Sequence, residues 1–208
     1  MKNRKNIIIA GIILIIICIF SYLLMSNFKD KSDYIKFKKE YESLNNKKSD
    51  KDNRFIEVKI NNSKVKFLTS DILNDILSNK KNAVIYIGKA TCAYCRSVAE
   101  VINDTINASE LEEFYYYKND STNSDYNDIL KILDDRFISN GEIKEPIVLF
   151  IIDGEVTSYK VGTVFSQSNA YVKLTENERK GLERIYSSGI DLVIEANKLS
   201  KKGWLYET

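Results

Sequence analysis

From Ile7 to Met25 the chain reads I-I-I-A-G-I-I-L-I-I-I-C-I-F-S-Y-L-L-M, without a single charge. At 1.5 Å rise per residue the run covers roughly 28 Å, about one hydrocarbon core. The apolar region of a signal peptide is shorter and ends in a small-x-small cleavage site. This run ends in Met25-Ser26-Asn27-Phe28 instead. It is therefore read as an uncleaved single-span anchor, with cleavage as the alternative. Cys18 follows Ile17 rather than a small residue, which fits a lipid-facing hydrophobe and not a lipoprotein cysteine. Lys2, Arg4 and Lys5 favour a cytoplasmic tail over residues 1–6. Several lysines also follow the span, but large C-terminal domains translocate largely regardless of such charge. The expectation is a single-pass protein of the cell membrane, with residues after about 28 outside the cytoplasm.

Residues 26–54 form a charged juxtamembrane segment without glycine or proline. Tyr34, Phe37, Tyr41 and Leu44 fall on one face of a helix. Two readings stay open here: an amphipathic helix packed on the domain or the lipid surface, and a solvated tether.

Residues 55–208 have the size of one ordinary domain. Ile56, Val58 and Ile60 alternate with polar residues, Asn61-Asn62-Ser63 is turn-like, and Val65 and Phe67 alternate again, so a hairpin is expected. Thr69 or Ser70 can cap a helix carrying Ile72, Leu73, Ile76 and Leu77. Ala83 to Ile87 is a continuous apolar run, the mark of a strand covered on both faces. Residues 92–107 have a helical period, and Phe114 to Tyr117 read as a further strand. Ser124 can cap a helix carrying Ile129, Leu130, Leu133 and Phe137. Ile147 to Ile152 is a second buried strand, and Asp153-Gly154 is a strong hairpin signal before Val156 to Val161. Thr175 and Glu178 make a capping box before Leu182, Ile185 and Tyr186, and Ile190 to Leu199 end the chain in a further helix. This order gives an α/β domain: a mixed sheet with helices on both sides.

Composition narrows the chemistry. Of the 208 residues, 31 are Lys or Arg and 29 are Asp or Glu, for a net charge of +2. That balance excludes the concentrated basic excess of a nucleic-acid binder. There is no histidine, so a Ser-His or Cys-His catalytic pair and a His-ligated metal are excluded. Three cysteines cannot form a four-Cys zinc site within one chain.

Cys92-Ala93-Tyr94-Cys95 is the constellation with reactive content, directly after the buried strand and opening a helix. Unpaired N–H groups and the positive dipole end of a first helical turn favour thiolate over thiol. Cys92 is thus expected to be the exposed nucleophile, and Cys95, one turn inward, to resolve its mixed disulfide. Lys89 and Arg96 flank the motif and are expected to favour the thiolate further. A purely structural disulfide is the competing reading, but so short a loop constrains the unfolded chain little. A metal would need further ligands, so neither a metal nor a cofactor is expected.

These residues resemble the thioredoxin superfamily over roughly Lys80 to Gly162. The match includes strand–C-x-x-C–helix and then E-P-I-V-L-F-I-I-D-G-E-V-T-S-Y-K-V-G from Glu145 to Gly162. The resemblance implies a thioredoxin-like fold, a cis bond before Pro146, and docking of an extended substrate segment on the backbone of Glu145 and Pro146. Ala93 and Tyr94, between the cysteines, would also face the substrate. Protein or peptide thiols and disulfides are the partners it implies, with a recycling partner at the membrane. The family's W-C-G-P-C is here Thr91 to Cys95, so the redox direction stays open. Its proton-relay Asp, six residues before the first cysteine, is Tyr86, so some other group, such as water or Glu145, has to move the proton. An ionised Glu145 opposes a Cys92 thiolate unless Lys89 neutralises it.

Tyr86 to Arg96 (Y-I-G-K-A-T-C-A-Y-C-R) is similar to the thioredoxin-like bacteriocin transport accessory proteins of Gram-positive bacteria. That likeness implies an extracytoplasmic helper acting on disulfides of exported peptides or proteins. A thioredoxin-fold scaffold in an export system is the alternative.

Overall fold

The computed structural model describes residues 13–19, 32–50 and 52–203. Most of the expected anchor over 7–25 and the tail over 1–6 lie outside them. Residues 13–19 are helical, and among the described residues no helix is long and apolar enough to cross a membrane.

Helix α1 spans residues 32–42. The helical spacing read from the sequence holds: Phe37 and Tyr41 are fully buried, and Tyr34 and Leu44 pack against the same core. The Phe37 ring meets that of Tyr116 at 4.8 Å between centroids. Of the two readings for this segment, residues 32–42 are thus a helix packed on the domain. Helix α1 shares that core with residues of the strands and helices that follow it.

The expected hairpin over 56–67 does not form. Ile56, Val58 and Ile60 are buried in alternation, as their pattern requires, but residues 55–60 join no strand ladder. Side chains from α1 and the turn after it bond this backbone instead. Asn45 accepts from the Val58 N–H and donates to its carbonyl, both at 2.9 Å. Glu42 accepts from the Ile60 N–H at 2.9 Å, and Lys38 donates to the Ile60 carbonyl at 3.0 Å. With those groups satisfied, the segment has no need of a strand partner.

Strand β1 (Val65–Phe67) pairs in parallel with β3 (Phe114–Lys118), which pairs in parallel with β2 (Ala83–Gly88). On its other side β2 pairs antiparallel with β6 (Ile147–Ile152), and β6 with β7 (Glu155–Val161). The sheet order is β1-β3-β2-β6-β7. Strand β2 is buried at all six positions, as its apolar run demands.

Helices α1, α3 (Ala93–Asn107) and α5 (Glu176–Gly203) cover one face, over Val84, Tyr86, Tyr116, Val148 and Phe150. Helices α2 (Ser70–Ser78) and α4 (Tyr126–Ile132) cover the other, over Ile85, Ile87, Tyr117, Leu149 and Ile151. Alternate residues of β2 thus feed two cores, which gives three layers.

Local signals set several boundaries. Thr69 accepts from the Ile72 N–H and caps α2. The Thr175–Glu178 capping box forms in both directions before α5. Asp153 and Gly154 both take positive φ, 51° and 77°, the geometry a tight two-residue hairpin requires.

Three readings need correction. Helix α4 begins after Asp125, not Ser124; the Asp125 carboxylate does not cap it but accepts from the Ser70 N–H and the Tyr117 hydroxyl. Phe137 belongs not to α4 but to a 3-10 turn, Asp135–Phe137, which leads into a small hairpin of β4 (Ile138–Ser139) and β5 (Glu142–Ile143). The C-terminus is one helix and not two. The buried stripe Leu182, Tyr186, Ile190 and Val193 keeps helical spacing throughout, so nothing breaks α5.

Candidate active site

The C-terminal ends of the parallel strands β2 and β3 lie level, with Gly88 opposite Lys118. Such strand ends are where open α/β sheets place ligands. Residues 89–91 lead from β2 to α3, whose N-cap is Cys92. The Cys92 Sγ accepts from the Cys95 N–H at 3.2 Å, so the sulfur occupies the position of a capping oxygen. Charge on that sulfur is favoured by the first-turn N–H groups and the helix dipole.

Cys92 and Cys95 are joined in a disulfide, with Cα atoms 5.2 Å apart. Cys92 and Ala93 are half-buried, Tyr94 is 38% exposed, and Cys95 is fully buried. One sulfur is therefore partly open to a partner and the other is shielded behind it.

The Glu145–Pro146 bond is cis. Ile147, the first residue of β6, pairs with Ile87, so residues 145 and 146 lie beside the end of β2, next to the cysteines. The Pro146 carbonyl accepts from the Gly162 N–H at 2.8 Å, which joins the start of β6 to the end of β7.

Glu145 is held from two directions. Its Oε1 meets Lys89 Nζ at 3.0 Å, and its Oε2 accepts from Asn119 Nδ2 at 2.9 Å. A carboxylate oxygen of Glu145 and the two sulfurs all lie within 4.8 Å of one another. Lys89 thus stands where it offsets the carboxylate facing the sulfurs. Among the described residues these three donors are the group close enough to share a cation, and the disulfide withholds both thiolates from that role.

Asn119 was not singled out by the sequence. It is buried, and it also donates to the Ile143 carbonyl at 3.1 Å, while its own N–H bonds the Gly88 carbonyl at 2.9 Å. Its place one residue past β3, level with the end of β2, is the signal that parallel pairing supplies.

Arg96 departs from its expected role. Its side chain is fully buried and directed at backbone, not at a sulfur. It donates to the carbonyls of Ile56 (2.9 and 3.1 Å), Tyr41 (2.8 Å) and Ala90 (3.4 Å), and to Asn45 Oδ1 at 2.6 Å. A buried guanidinium needs its donors satisfied, and the segment over 41–56 brings carbonyls to meet it. Arg96 therefore fastens that segment to the first turn of α3.

Tyr86 occupies the floor. Its hydroxyl donates to the Cys95 carbonyl at 2.8 Å. The hydroxyls of Tyr41 and Tyr86 are 2.8 Å apart, and since Tyr86 has one proton to give, Tyr41 is the donor of that pair. Burial, and then the neighbouring Tyr41, push the Tyr86 phenol well above its ordinary range. It stays protonated and takes up no proton near neutral pH. Gly88 leaves room for this ring: a Cβ there would lie 2.6 Å from the Tyr86 oxygen and 3.1 Å from the Cys95 Sγ. Half-buried Glu40 of α1 accepts from the Ala90 N–H at 3.4 Å and the Tyr116 hydroxyl at 2.8 Å, and burial raises its carboxyl above the usual range.

No family model and no curated protein matches the sequence. Among solved structures, the chain is similar to thioredoxin O2 from Arabidopsis thaliana in its oxidized state, at 18% identity and a TM-score of 0.38. That likeness covers 50% of this chain and 88% of the thioredoxin. A mixed five-stranded sheet flanked by helices, with a C-x-x-C disulfide where its central strand passes into the next helix, fits a thioredoxin-like fold.

Proposed function

We propose that this chain is a membrane-tethered thiol-disulfide oxidoreductase, facing outside the cytoplasm and acting on exported proteins or peptides. One observation carries the reading: the two sulfurs of a disulfide sit at a helix N-terminus, one half-buried and one fully buried. That asymmetry separates attack from resolution.

In the reducing direction, the Cys92 thiolate attacks one sulfur of a client disulfide, and the client's other sulfur leaves as a thiolate. Cys95 then attacks the Cys92 sulfur of the mixed disulfide. The second client sulfur leaves, and the Cys92–Cys95 disulfide forms. The client gains two electrons and the domain gives up two; oxidation of a client runs the same steps backwards. An extended client segment docks beside Pro146, on the backbone of Glu145, with Ala93 and Tyr94 at its other edge. A recycling partner at the membrane restores the starting state.

The apolar run over residues 7–25 supports the tether. Helix α1 belongs to the folded domain, so few residues separate the run from the domain and the site stays near the bilayer. Holding catalyst and membrane-associated clients on one surface raises their effective concentration.

The test is a Cys95→Ser variant expressed in the host. Resolution is blocked, so Cys92-linked mixed disulfides accumulate, and they vanish when Cys92 is also replaced. A scaffold shows no such adducts and keeps its function without either cysteine. Labelling of Cys92 in intact cells by a membrane-impermeant thiol reagent places the domain outside; labelling only after lysis contradicts that placement.

A further inference from the structure

We propose that, once the Cys92–Cys95 disulfide is reduced, its two sulfurs and the Glu145 carboxylate bind a zinc ion that holds the domain idle until the pair is oxidised again; this rests on the exchange reading above for the opening of the pair. Among the described residues, Cys92, Cys95 and Glu145 are the group whose donor atoms all lie within 4.8 Å of one another. The two cysteines have the C-x-x-C spacing that zinc sites use. The sequence shows no third ligand near them. The fold supplies one by setting residue 145 beside the end of β2.

The spacing suits the ion. Zinc sits about 2.3 Å from sulfur and about 2.0–2.2 Å from oxygen, so tetrahedral ligand atoms stand about 3.5–3.8 Å apart. The carboxylate oxygen and the parted sulfurs reach that spacing by shifts of about 1 Å. Three protein ligands leave the fourth position to water or to a client sulfur. Cys92 is half-buried, so that position opens on the side from which a client arrives.

The surroundings suit it too. Lys89 and Asn119 each take one lone pair of a Glu145 oxygen, and a carboxylate has about four, so both contacts persist beside a metal. Such outer partners fix the orientation of ligands in metal sites. The Cys95 N–H does the same for the Cys92 Sγ. Two thiolates and a carboxylate bring three negative charges, and Lys89 returns one positive charge. A divalent ion cancels the remainder. Thiolate donors then select zinc over magnesium or calcium.

On binding, each cysteine sulfur gives up its proton to solvent and donates a lone pair to the ion. Cys92 then has no free thiolate with which to attack, and Cys95 none with which to resolve. Oxidation reverses this. A client disulfide takes two electrons from the pair, its sulfurs leave as two thiolates, the Cys92–Cys95 bond forms, and the ion departs as Zn2+. The oxidised domain offers the carboxylate alone and retains no zinc.

The experiment uses the full chain in detergent with Cys18→Ser, so that Cys92 and Cys95 are its only thiols. It is reduced, freed of metal and titrated with Zn2+ against a chromophoric chelator. One ion per reduced chain is expected, and none on the oxidised chain. Glu145→Gln is expected to weaken binding by about 100-fold or more, because loss of an outer-shell partner alone costs about 10–100-fold. Glu40→Gln is expected to bind as the parent does. Zinc is also expected to protect both thiols from alkylation until a chelator removes it, and Co2+ in its place to give the intense visible bands of a four-coordinate ion with thiolate ligands. Equal affinity in the parent and Glu145→Gln overturns the proposal, because the pair then chelates as any dithiol does. So does one ion shared by two chains, or a reduced chain that binds no zinc. Thiol counting before the titration keeps the two readings apart: a pair that never opens overturns the exchange reading, whereas an open pair without zinc overturns the metal site alone.

Discussion

The Tyr86 hydroxyl donates to the carbonyl of Cys95 at 2.8 Å and so ties the central strand to the first turn of the redox helix. It accepts a hydrogen bond from the Tyr41 hydroxyl in turn, which makes a buried chain from α1 to Cys95. Tyr86→Phe removes the donor to Cys95 and leaves the Tyr41 hydroxyl without this acceptor. The expected cost is about 1–3 kcal/mol, the penalty for unmade buried hydrogen bonds. Urea unfolding checks it: the midpoint falls at constant slope. The pH profile of Cys95 attack is expected to stay in place, because the phenol moves no proton.

Arg96→Met tests a fastening and not a catalyst. The carbonyls of Ile56 and Tyr41 and the Asn45 side chain lose their charged partner. Stability is expected to fall by at least about 1–3 kcal/mol, the cost of leaving a buried carbonyl unsatisfied. The segment over residues 41–60 is then the first to be cut in limited proteolysis. Arg96→Lys is expected to rescue only part of this, because one ammonium cannot span three acceptors.

Glu40→Gln changes the dependence of stability on pH. Burial raises the Glu40 carboxyl above its unfolded value, so the folded state holds the proton more tightly than the unfolded chain does. Its ionisation costs stability as pH rises from the ordinary glutamate range through the raised folded value. Gln keeps an oxygen to accept from the Ala90 N–H and the Tyr116 hydroxyl and carries no charge. The variant is therefore expected to exceed the wild type at neutral pH, by on the order of 1 kcal/mol, the scale of a single substitution. The two converge on acidification below the ordinary glutamate range. Denaturant midpoints across pH measure the difference.

Lys89→Gln leaves the Glu145 charge beside the sulfurs without its cation. The Cys92 thiolate is then disfavoured, and alkylation at neutral pH is expected to slow several-fold. Lys89 is 38% exposed, so solvent screens the pair and the effect stays modest; salt is expected to narrow it.

Elements whose own residues decide their state were legible in the sequence. The apolar runs of β2 and β6, the Asp153-Gly154 turn and the capping residues Thr69 and Thr175 each act over a few neighbours. The pair Cys92 and Cys95 followed from a motif of fixed spacing, whereas the cis bond at Pro146 and the nearness of Lys89 to Glu145 followed only from the resemblance. What escaped depends on partners far along the chain. Residues 55–60 have a strand's alternation, but their backbone bonds go to Asn45, Glu42, Lys38 and Arg96. Arg96 next to a reactive cysteine invites an electrostatic reading, and nothing local reveals that it turns toward Tyr41 and Ile56. The small hairpin before Glu145 did carry a local sign: Asn140 and Gly141 both take positive φ, as Asn-Gly favours. Asn119 came into view only once β3 was paired with β2.

The most direct measurement is equilibration of the purified chain in glutathione buffers, with acid quenching and thiol counting at Cys92 and Cys95. The account predicts one reversible two-electron transition, with a potential between about −120 and −270 mV, the range of catalytic C-x-x-C couples. A pair that stays bridged at every attainable poise, or opens without ever closing again, contradicts it.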